Sequence, residues 1–316
     1  MNFKALARLL ILPLALPLVA ADAAFPNKTI VLVAWSAAGS PVDVLAREVA
    51  RLAPKYLHQS MIVEDKTGGD GANAMQFILS SPSDGYALLI NTRSMMATLN
   101  TDLRGKFTTE QFDFLATLET DPYAIAVRTE SPFKTIRDLL ASAKTTPISI
   151  GGFGADSAHA MLSRHLAAES GAKLNWVPFN GGSAALVAVL GGHMDAMLGN
   201  ISDQRAQVAD GKLRILAVST DKPLADYPNA LPFRALGYPD LTSSHWRGVM
   251  AKAGTPADVT AKLDAFFKAV SKDAEFVAFV KNSGLLPYYN DRAAFAKLVK
   301  SDMEAMAKQT AASVQK

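Results

Sequence analysis

The sequence contains no cysteine. That excludes disulfides, thiol catalysis, cysteine-ligated metals and a lipid-modified Cys at a processed N-terminus. It also lacks an excess of charge of either sign, with 32 Lys and Arg against 29 Asp and Glu in 316 residues. A nucleic-acid binder needs a basic patch or stripe, so no nucleic-acid partner is expected. Beyond the N-terminal segment no apolar run reaches the roughly 18 residues of a membrane span. Repeats and low-complexity tracts are missing too. So are reactive constellations. His58, His159, His165, His193 and His245 form no H-E-x-x-H or other ligand spacing, and His159 and His165 fall on different faces of a helix. Gly181-Gly-Ser183-Ala-Ala lacks the closing glycine of a nucleophile elbow, which leaves Ser183 as a helix cap. No catalytic residue, metal site or cofactor is expected, and the chain reads as a non-enzyme.

What is present begins with an export signal. Lys4 and Arg8 precede an apolar stretch from Leu9 to Ala20, and Ala21-Asp22-Ala23 is a small-x-small cleavage site. Residues 1–23 are read as a signal peptide cleaved after Ala23, with cleavage after Ala21 as the alternative. Losing Lys4, Arg8 and Asp22 takes the 32 basic and 29 acidic residues to 30 and 28, a net +2. An exported chain without cysteine fits a Gram-negative periplasm.

Strand-like apolar runs alternate with amphipathic helical patterns. The strand candidates are Thr29–Ala34, Met61–Glu64, Ala87–Asn91, Phe114–Leu118, Ala124–Val127, Ile148–Gly151, Leu174–Val177, Ala196–Leu198 and Leu213–Ser219. Such alternation predicts an α/β fold with largely parallel sheets. Thr135, Ser157, Ser183 and Thr255-Pro256 each read as a helix start. The last 60 or so residues read as helical without strands, so they are expected to pack back onto the N-terminal domain. The mature length of about 290 residues allows two domains of roughly 100–200 residues. The expected fold is therefore two-lobed with a hinged cleft. Lobe 1 comprises 24–124 plus 246–316, and lobe 2 comprises 125–245.

The most informative loop is Ser36-Ala37-Ala38-Gly39-Ser40. Ser40 is a good N-cap and Pro41 a good first helical residue, with Val42, Leu45, Val49 and Leu52 at helical spacing behind them. Free N–H groups at a positive helix end suit an anion such as a carboxylate. Gly151-Gly-Phe-Gly154-Ala155-Asp-Ser157 and Phe179-Asn180-Gly-Gly-Ser183 follow strands and open helices in the same way. Open α/β sheets bind ligands at such strand ends. Gly69-Asp-Gly-Ala-Asn-Ala74 matches the dinucleotide fingerprint G-x-G-x-x-A. Three residues separate Asp65 from Gly69, which makes that turn too long, and a periplasmic address disfavours a nicotinamide cofactor. The loop is read as a tight helix entrance with spare donors at Gly69. Arg93 and Arg247 each follow a strand end, where a guanidinium can fork onto a carboxylate. Trp35 and Phe153 are candidate stacking rings for an aromatic acid.

These residues carry a family resemblance. The stretch Ala37-Ala-Gly-Ser-Pro-Val-Asp43-Val-Leu-Ala-Arg47 resembles A-A-G-G-P-x-D-x-x-A-R of the periplasmic solute-binding receptors of tripartite tricarboxylate transporters, the Bug-type or TctC-like proteins. In the same order, Val63-Glu-Asp-Lys-Thr-Gly-Gly-Asp-Gly71, Ser83-Asp-Gly-Tyr86, Val177-Pro-Phe-Asn-Gly-Gly182, Leu190-Gly-Gly-His-Met-Asp195, Gly211-Lys-Leu-Arg-Ile-Leu-Ala-Val218 and Ala253-Gly-Thr-Pro256 are similar to further family motifs. Each is soft; together, in order, they are specific. The resemblance implies a two-lobed flytrap that closes on a small organic acid and docks on large and small membrane subunits. It implies carboxylates held mainly by backbone N–H groups and waters. The site residues it implies, with those read above, are Ser36, Ala37, Ala38, Gly39, Ser40, Asp43, Gly69, Thr92, Arg93, Gly154, Ala155, Ser157, Asn180, Asn200, Trp246 and Arg247. A monomer is expected.

The sequence departs from the family pattern at three places. Leu198-Gly199-Asn200 stands where the family often has D-N, Arg93 stands where a small or polar residue is usual, and Arg247 follows the hinge tryptophan, where some members have an aromatic. One negative charge lost and one or two positive charges gained favour a mono- or dicarboxylate, with Arg93 or Arg247 balancing a second charge. Two other function classes stay open at this point. One is the ligand-binding component of a sensory system; the other is a periplasmic enzyme on small acids, for which no nucleophile–base pair is found.

Overall fold

The computed structural model describes residues 24–155, 157–241 and 244–314, and the side chains of residues 240 and 308–314 are outside that description. The expected signal peptide and its cleavage sites lie outside the described residues. In chain order the elements are β1 (Ile30–Ala34), α1 (Pro41–Leu57), β2 (Met61–Asp65), α2 (Ala72–Ser80), β3 (Ala87–Thr92), α3 (Arg93–Thr98), β4 (Phe112–Arg128), α4 (Ile136–Ala143), β5 (Ile148–Phe153), α5 (Ala158–Ser170), β6 (Leu174–Phe179), α6 (Gly182–Leu190), β7 (Ala196–Asn200), α7 (Ile201–Ala209), β8 (Leu213–Val218), β9 (Leu231–Pro232), β10 (Ser244–Lys252), α8 (Ala257–Lys272), α9 (Ala274–Asn282), β11 (Leu286–Asn290) and α10 (Arg292–Val314).

Two α/β sheets share one strand. The first runs β2-β1-β3-β10-β4, with β11 on the other edge of β4. Its β1, β2 and β3 are mutually parallel, and β10 is antiparallel to both neighbours. From Tyr123 onward the same β4 pairs with β7 on one side and, from Ala124, with β8 on the other. Strands β5 and β6 extend that second sheet in parallel beyond β7. Each sheet is covered on both faces, so its strands read as near-continuous apolar runs. In the second sheet Tyr123, Ile125 and Val127 pack with α4 and α5, while Ala124 and Ala126 pack toward α6 and α7.

The end of the chain completes the first sheet's core. Leu263, Phe266, Phe267 and Phe276 pack with Ile30, Leu32, Leu45 and Val49, and Phe295 and Val299 pack with Val33, Met95 and Met96 on the opposite face. Among the described residues no helix is long and apolar enough to cross a membrane.

Four local expectations are corrected. The separate strands Phe114–Leu118 and Ala124–Val127 are one strand of 17 residues. The polar run Glu119-Thr-Asp-Pro122 between them reads as a break, yet it is buried and paired to β10 and β11. The C-terminal 60 residues are not strand-free: Leu286–Asn290 forms β11, and its Pro287 is tolerated because the strand lies at an edge. Ser183 is not a cap; α6 starts at Gly182, with Gly181 as N-cap, two residues before the expected one. Thr255 is not a cap either; Pro256 holds that position, and the Thr255 hydroxyl donates to the Lys252 carbonyl at 2.8 Å.

Candidate ligand cleft

The carboxyl ends of β1 and β3 point along β4 toward the second sheet, and those of β5, β6 and β7 point back. Thr92, at the end of β3, pairs with Arg247, which pairs with Glu119 of β4; Asn200, at the end of β7, pairs with Tyr123. Four residues of strand, about 13 Å at ~3.3 Å per residue, separate those two registers. Helix-opening loops from both sheets therefore converge on the shared strand.

On the first sheet's side, Ser40 caps α1 by accepting from the Asp43 amide at 3.3 Å, and its hydroxyl lies 2.7 Å from that of Ser36. Gly39 has φ of +80°, a left-handed conformation that a side chain would disfavour. Its N–H donates to Asp43 Oδ2 at 2.7 Å, and the Ser40 N–H donates to the Ala37 carbonyl at 3.0 Å. Two of the loop's donors are thus consumed internally. Ala37 and Ala38 are exposed, and among the described residues their amides make no hydrogen bond. Asp43 is buried beneath the loop and ion-paired to Arg47 at 2.8 Å. The hydrogen bond from Arg47 holds its carboxyl below the usual range. It braces the loop from below instead of lining the opening.

Thr92 caps α3 through the Met95 amide at 3.1 Å. Arg93 is buried, and its Nε donates to Asp302 Oδ2 of α10 at 3.2 Å; Trp246 Nε1 donates to the same oxygen at 2.7 Å. Trp246 packs edge-on against Phe295 with ring centroids 5.0 Å apart and is 1% exposed. Trp246 packs in the first sheet's core and also borders a cavity with Thr120 and Asp302. Residues Gly68 to Gly71 all have positive φ, including Asp70. A Cβ on Gly71 would lie 2.6 Å from the Met95 side chain, so this loop packs against α3 as a tight entrance to α2.

On the second sheet's side, Gly154 has φ of +67° and donates to the Phe179 carbonyl at 2.9 Å, and its carbonyl accepts from Trp176 Nε1 at 2.9 Å. Ser157 caps α5 through the Ala160 amide at 3.2 Å, and its hydroxyl donates to the Phe153 carbonyl. The Ala155 carbonyl accepts from Arg164 at 2.9 Å. Asn180 is exposed just before α6. Asn200 Oδ1 lies 2.7 Å from His159 Nε2, and the His159 ring sits edge-on to Tyr123 at 4.6 Å.

At the shared strand, Arg247 Nη1 donates to Glu119 Oε1 at 2.8 Å, with both side chains buried. Asp121 accepts from the Ser202 hydroxyl at 2.5 Å and from its amide at 3.3 Å, which ties the start of α7 to β4. Burial pushes both carboxyls up; Arg247 opposes it at Glu119 and the Ser202 hydroxyl opposes it at Asp121. Desolvation, with Arg247 and Arg93 nearby, pushes His245 well below the ordinary histidine range. A cavity of about 230 Å³ is lined by Gly39 of the loop before α1, Pro41 of α1, Ser202 of α7, and Glu119 and Arg247 between them.

The structure thus brings Gly39 and Arg247 to one cavity and Asn200 beside His159. It also alters the charge expectation. Arg93 and Arg247 are not unbalanced positives, because Asp302 and Glu119 already pair with them. Glu119, Asp121, Tyr123, His159 and Ser202 were not among the sequence candidates. The available signal was the polar run 119–121 within an apolar strand.

A family model described as "Tripartite tricarboxylate transporter family receptor" matches residues 45–311. The chain belongs to this family. Its receptors are periplasmic solute-binding proteins. A UPF0065 protein of Bordetella bronchiseptica is 31% identical over 276 residues, covering 85% of this chain and 82% of that protein. A TctC solute-binding protein from Polaromonas, solved without ligand, superposes with a TM-score of 0.83 at 27% identity over 90% of this chain and 99% of that one. MatC from Rhodopseudomonas palustris, solved with bound malate, superposes at 0.69 and 22% identity over 90% of this chain and 99% of that one, a likeness that shows the fold alone. As a TctC-family member the chain has the two-lobed architecture of these receptors.

Proposed function

We propose that this chain captures a small organic carboxylate in the periplasm by closing two lobes on it, and that it delivers the ligand unchanged to the large and small membrane subunits of a tripartite transporter. The lobes are 24–124 plus 246–316 and 125–245, with the two crossings in β4 and at the start of β10. The observation that carries this reading is the Ser36–Ser40 loop. Its Ala37 and Ala38 amides have no hydrogen-bond partner among the described residues and stand at the positive end of a 17-residue helix, and the helix-opening loops of the second sheet converge on the same strand. MatC's malate is consistent with it. The non-enzymatic reading rests on the family and on the absence of a nucleophile–base pair in the sequence.

The test is calorimetric titration of the purified chain with a panel of mono- and dicarboxylates. Saturable binding of at least one, with no chemical change of the ligand by NMR, is expected. Heat or turnover from none of them, or conversion of any, overturns the reading. Neighbouring genes for one large and one small membrane subunit separate transport from sensing.

A further inference from the structure

Two helices meet away from the strands that join the lobes. Helix α7 lies in the 125–245 lobe and α9 in the other. Arg205, in the second turn of α7, reaches the carboxyl end of α9. Its Nη1 donates to the Asn282 carbonyl at 2.8 Å and to the Lys281 carbonyl at 3.2 Å. The last carbonyls of a helix have no partner within it. A guanidinium placed there satisfies them and also meets the negative end of the helix dipole.

Gly284 makes this approach possible. It has φ of +78°, and a Cβ on it would lie 3.0 Å from Arg205 Cδ and 3.7 Å from Ser202 Cα. The bare backbone just after α9 is thus the surface on which the start of α7 rests.

The contact coexists with the cavity of about 230 Å³ in the cleft. Phe279 of α9, with Ser283 and Leu285 just after it, lines that cavity together with Gly39 and Ser202. Lys281 and Asn282, which Arg205 holds, lie between Phe279 and Ser283 in the chain. Arg205 is three residues beyond Ser202, so the two share a face of α7. The arrangement that brings Gly39 of one lobe and Ser202 of the other to one cavity is therefore the arrangement in which Arg205 reaches α9. Helix α7 also starts directly after Asn200, so holding α7 holds a loop of the cleft.

We infer that Arg205 is a positioning residue for ligand capture, a latch between the lobes that forms as they close and slows their reopening. This rests on the lobe-closure reading above and deepens it. A contact made only in the closed arrangement stabilises that arrangement alone. It leaves the ligand's first encounter with the open protein unchanged and acts on escape, where most affinity differences between variants lie.

The experiment is stopped-flow tryptophan fluorescence on the full mature chain, with succinate, malate, adipate and benzoate as probes. Small-angle X-ray scattering of the wild type with and without each probe measures closure. For every probe that saturates the wild type, Arg205→Ala is expected to raise the dissociation rate about threefold to tenfold, the scale of one net hydrogen bond, with the association rate within about twofold of wild type. Arg205→Lys keeps a charge at the helix end but loses the fork of donors, and it is expected to recover part of the slow release. Gly284→Ala pushes the same surfaces apart from the other side and is expected to speed release by itself. If it does not fold by circular dichroism, the two Arg205 variants decide. Binding with compaction, but with dissociation from Arg205→Ala within about twofold of wild type, overturns this inference alone. So does an affinity loss carried by slower association. Binding without compaction overturns the lobe-closure reading and this one with it, and binding of no probe overturns the receptor reading as well.

Discussion

The carboxylate of Asp43 lies 2.7 Å from the amide of Gly39, four residues before it, and holds the loop that opens α1 in its left-handed turn. The same carboxylate is clasped by Arg47, at 3.0 Å to Nε and 2.8 Å to Nη2. Asp43→Ala is expected to cost about 1–3 kcal/mol of stability, the range for charge-assisted hydrogen bonds lost at a buried site. It is also expected to weaken carboxylate binding, because the Ala37 and Ala38 amides lose their frame. Urea denaturation and calorimetry check the two effects; unchanged affinity in a destabilised variant would separate the brace from the site.

Asp273 accepts from Lys55 at 2.6 Å and Tyr56 at 2.7 Å, and it caps α9 through the Glu275 and Phe276 amides at 2.9 and 3.1 Å. The hydrogen bonds from Lys55 and Tyr56 hold its carboxyl well below the usual range. A depressed folded-state pKa gives stability that is present above the unfolded value of about 3.9 and is lost as the pH falls through the folded value. Asp273→Ala is therefore expected to cost about 1–2 kcal/mol at pH 7, as for other N-caps. The gap from wild type is expected to narrow as the pH drops below about 4. Thermal melts between pH 7 and 3 measure it, and a gap that widens toward low pH contradicts the assignment.

Gly152 has no room for a side chain. A Cβ there would lie 2.2 Å from the Trp176 ring and 2.5 Å from the Leu198 carbonyl. The carbonyl belongs to the neighbouring strand and cannot swing away. Gly152→Ala is expected to destabilise the protein by about 1–3 kcal/mol through overpacking, read as a lower urea midpoint at unchanged slope.

Arg93 is buried against Asp302, 209 residues away in sequence. Asp302→Leu would leave Arg93 without its carboxylate partner and is expected to cost about 3–5 kcal/mol. The double variant Arg93→Met/Asp302→Leu is expected to recover part of that loss, because it removes the uncompensated charge, while Trp246 Nε1 stays without the acceptor that Asp302 gave it. Chemical denaturation of the four proteins in the cycle tests this; additive losses would mean that the pair is not coupled.

Local chemistry made part of this molecule readable in advance. Ser40, Thr135 and Ser157 cap the helices they precede in the sequence, because capping depends on two or three neighbouring residues. The helix-opening loops were legible for the same reason. What escaped depends on partners far along the chain. Glu119 and Asp121 look like a solvated break until Arg247, 128 residues later, and Ser202, 81 residues later, are brought against them. Arg247 looks like a free cation until Glu119 is seen beside it. Strand β10 hides because its buried Arg247 and flanking polar residues interrupt the apolar run, and Leu286–Asn290 hides because an edge strand of five residues carries little pattern.

The return of the chain to its first sheet also sets an order on how the molecule can be made. Strands β1 and β3 are present once the first ninety or so residues have emerged, but they cannot be sealed then. Their cores wait for Val249 between β3 and β4, for Phe266, Phe267 and Phe276 on one face, and for Phe295 on the other. A chain delivered N-terminus first therefore carries an open apolar sheet through most of its delivery, and exposed surface of that kind is prone to aggregation. The middle segment can pack alone, since α4, α5, α6 and α7 cover its sheet. Because Phe266, Phe267, Phe276 and Phe295 complete the first sheet's core, loss of the last helices strikes the part of the molecule that is made first.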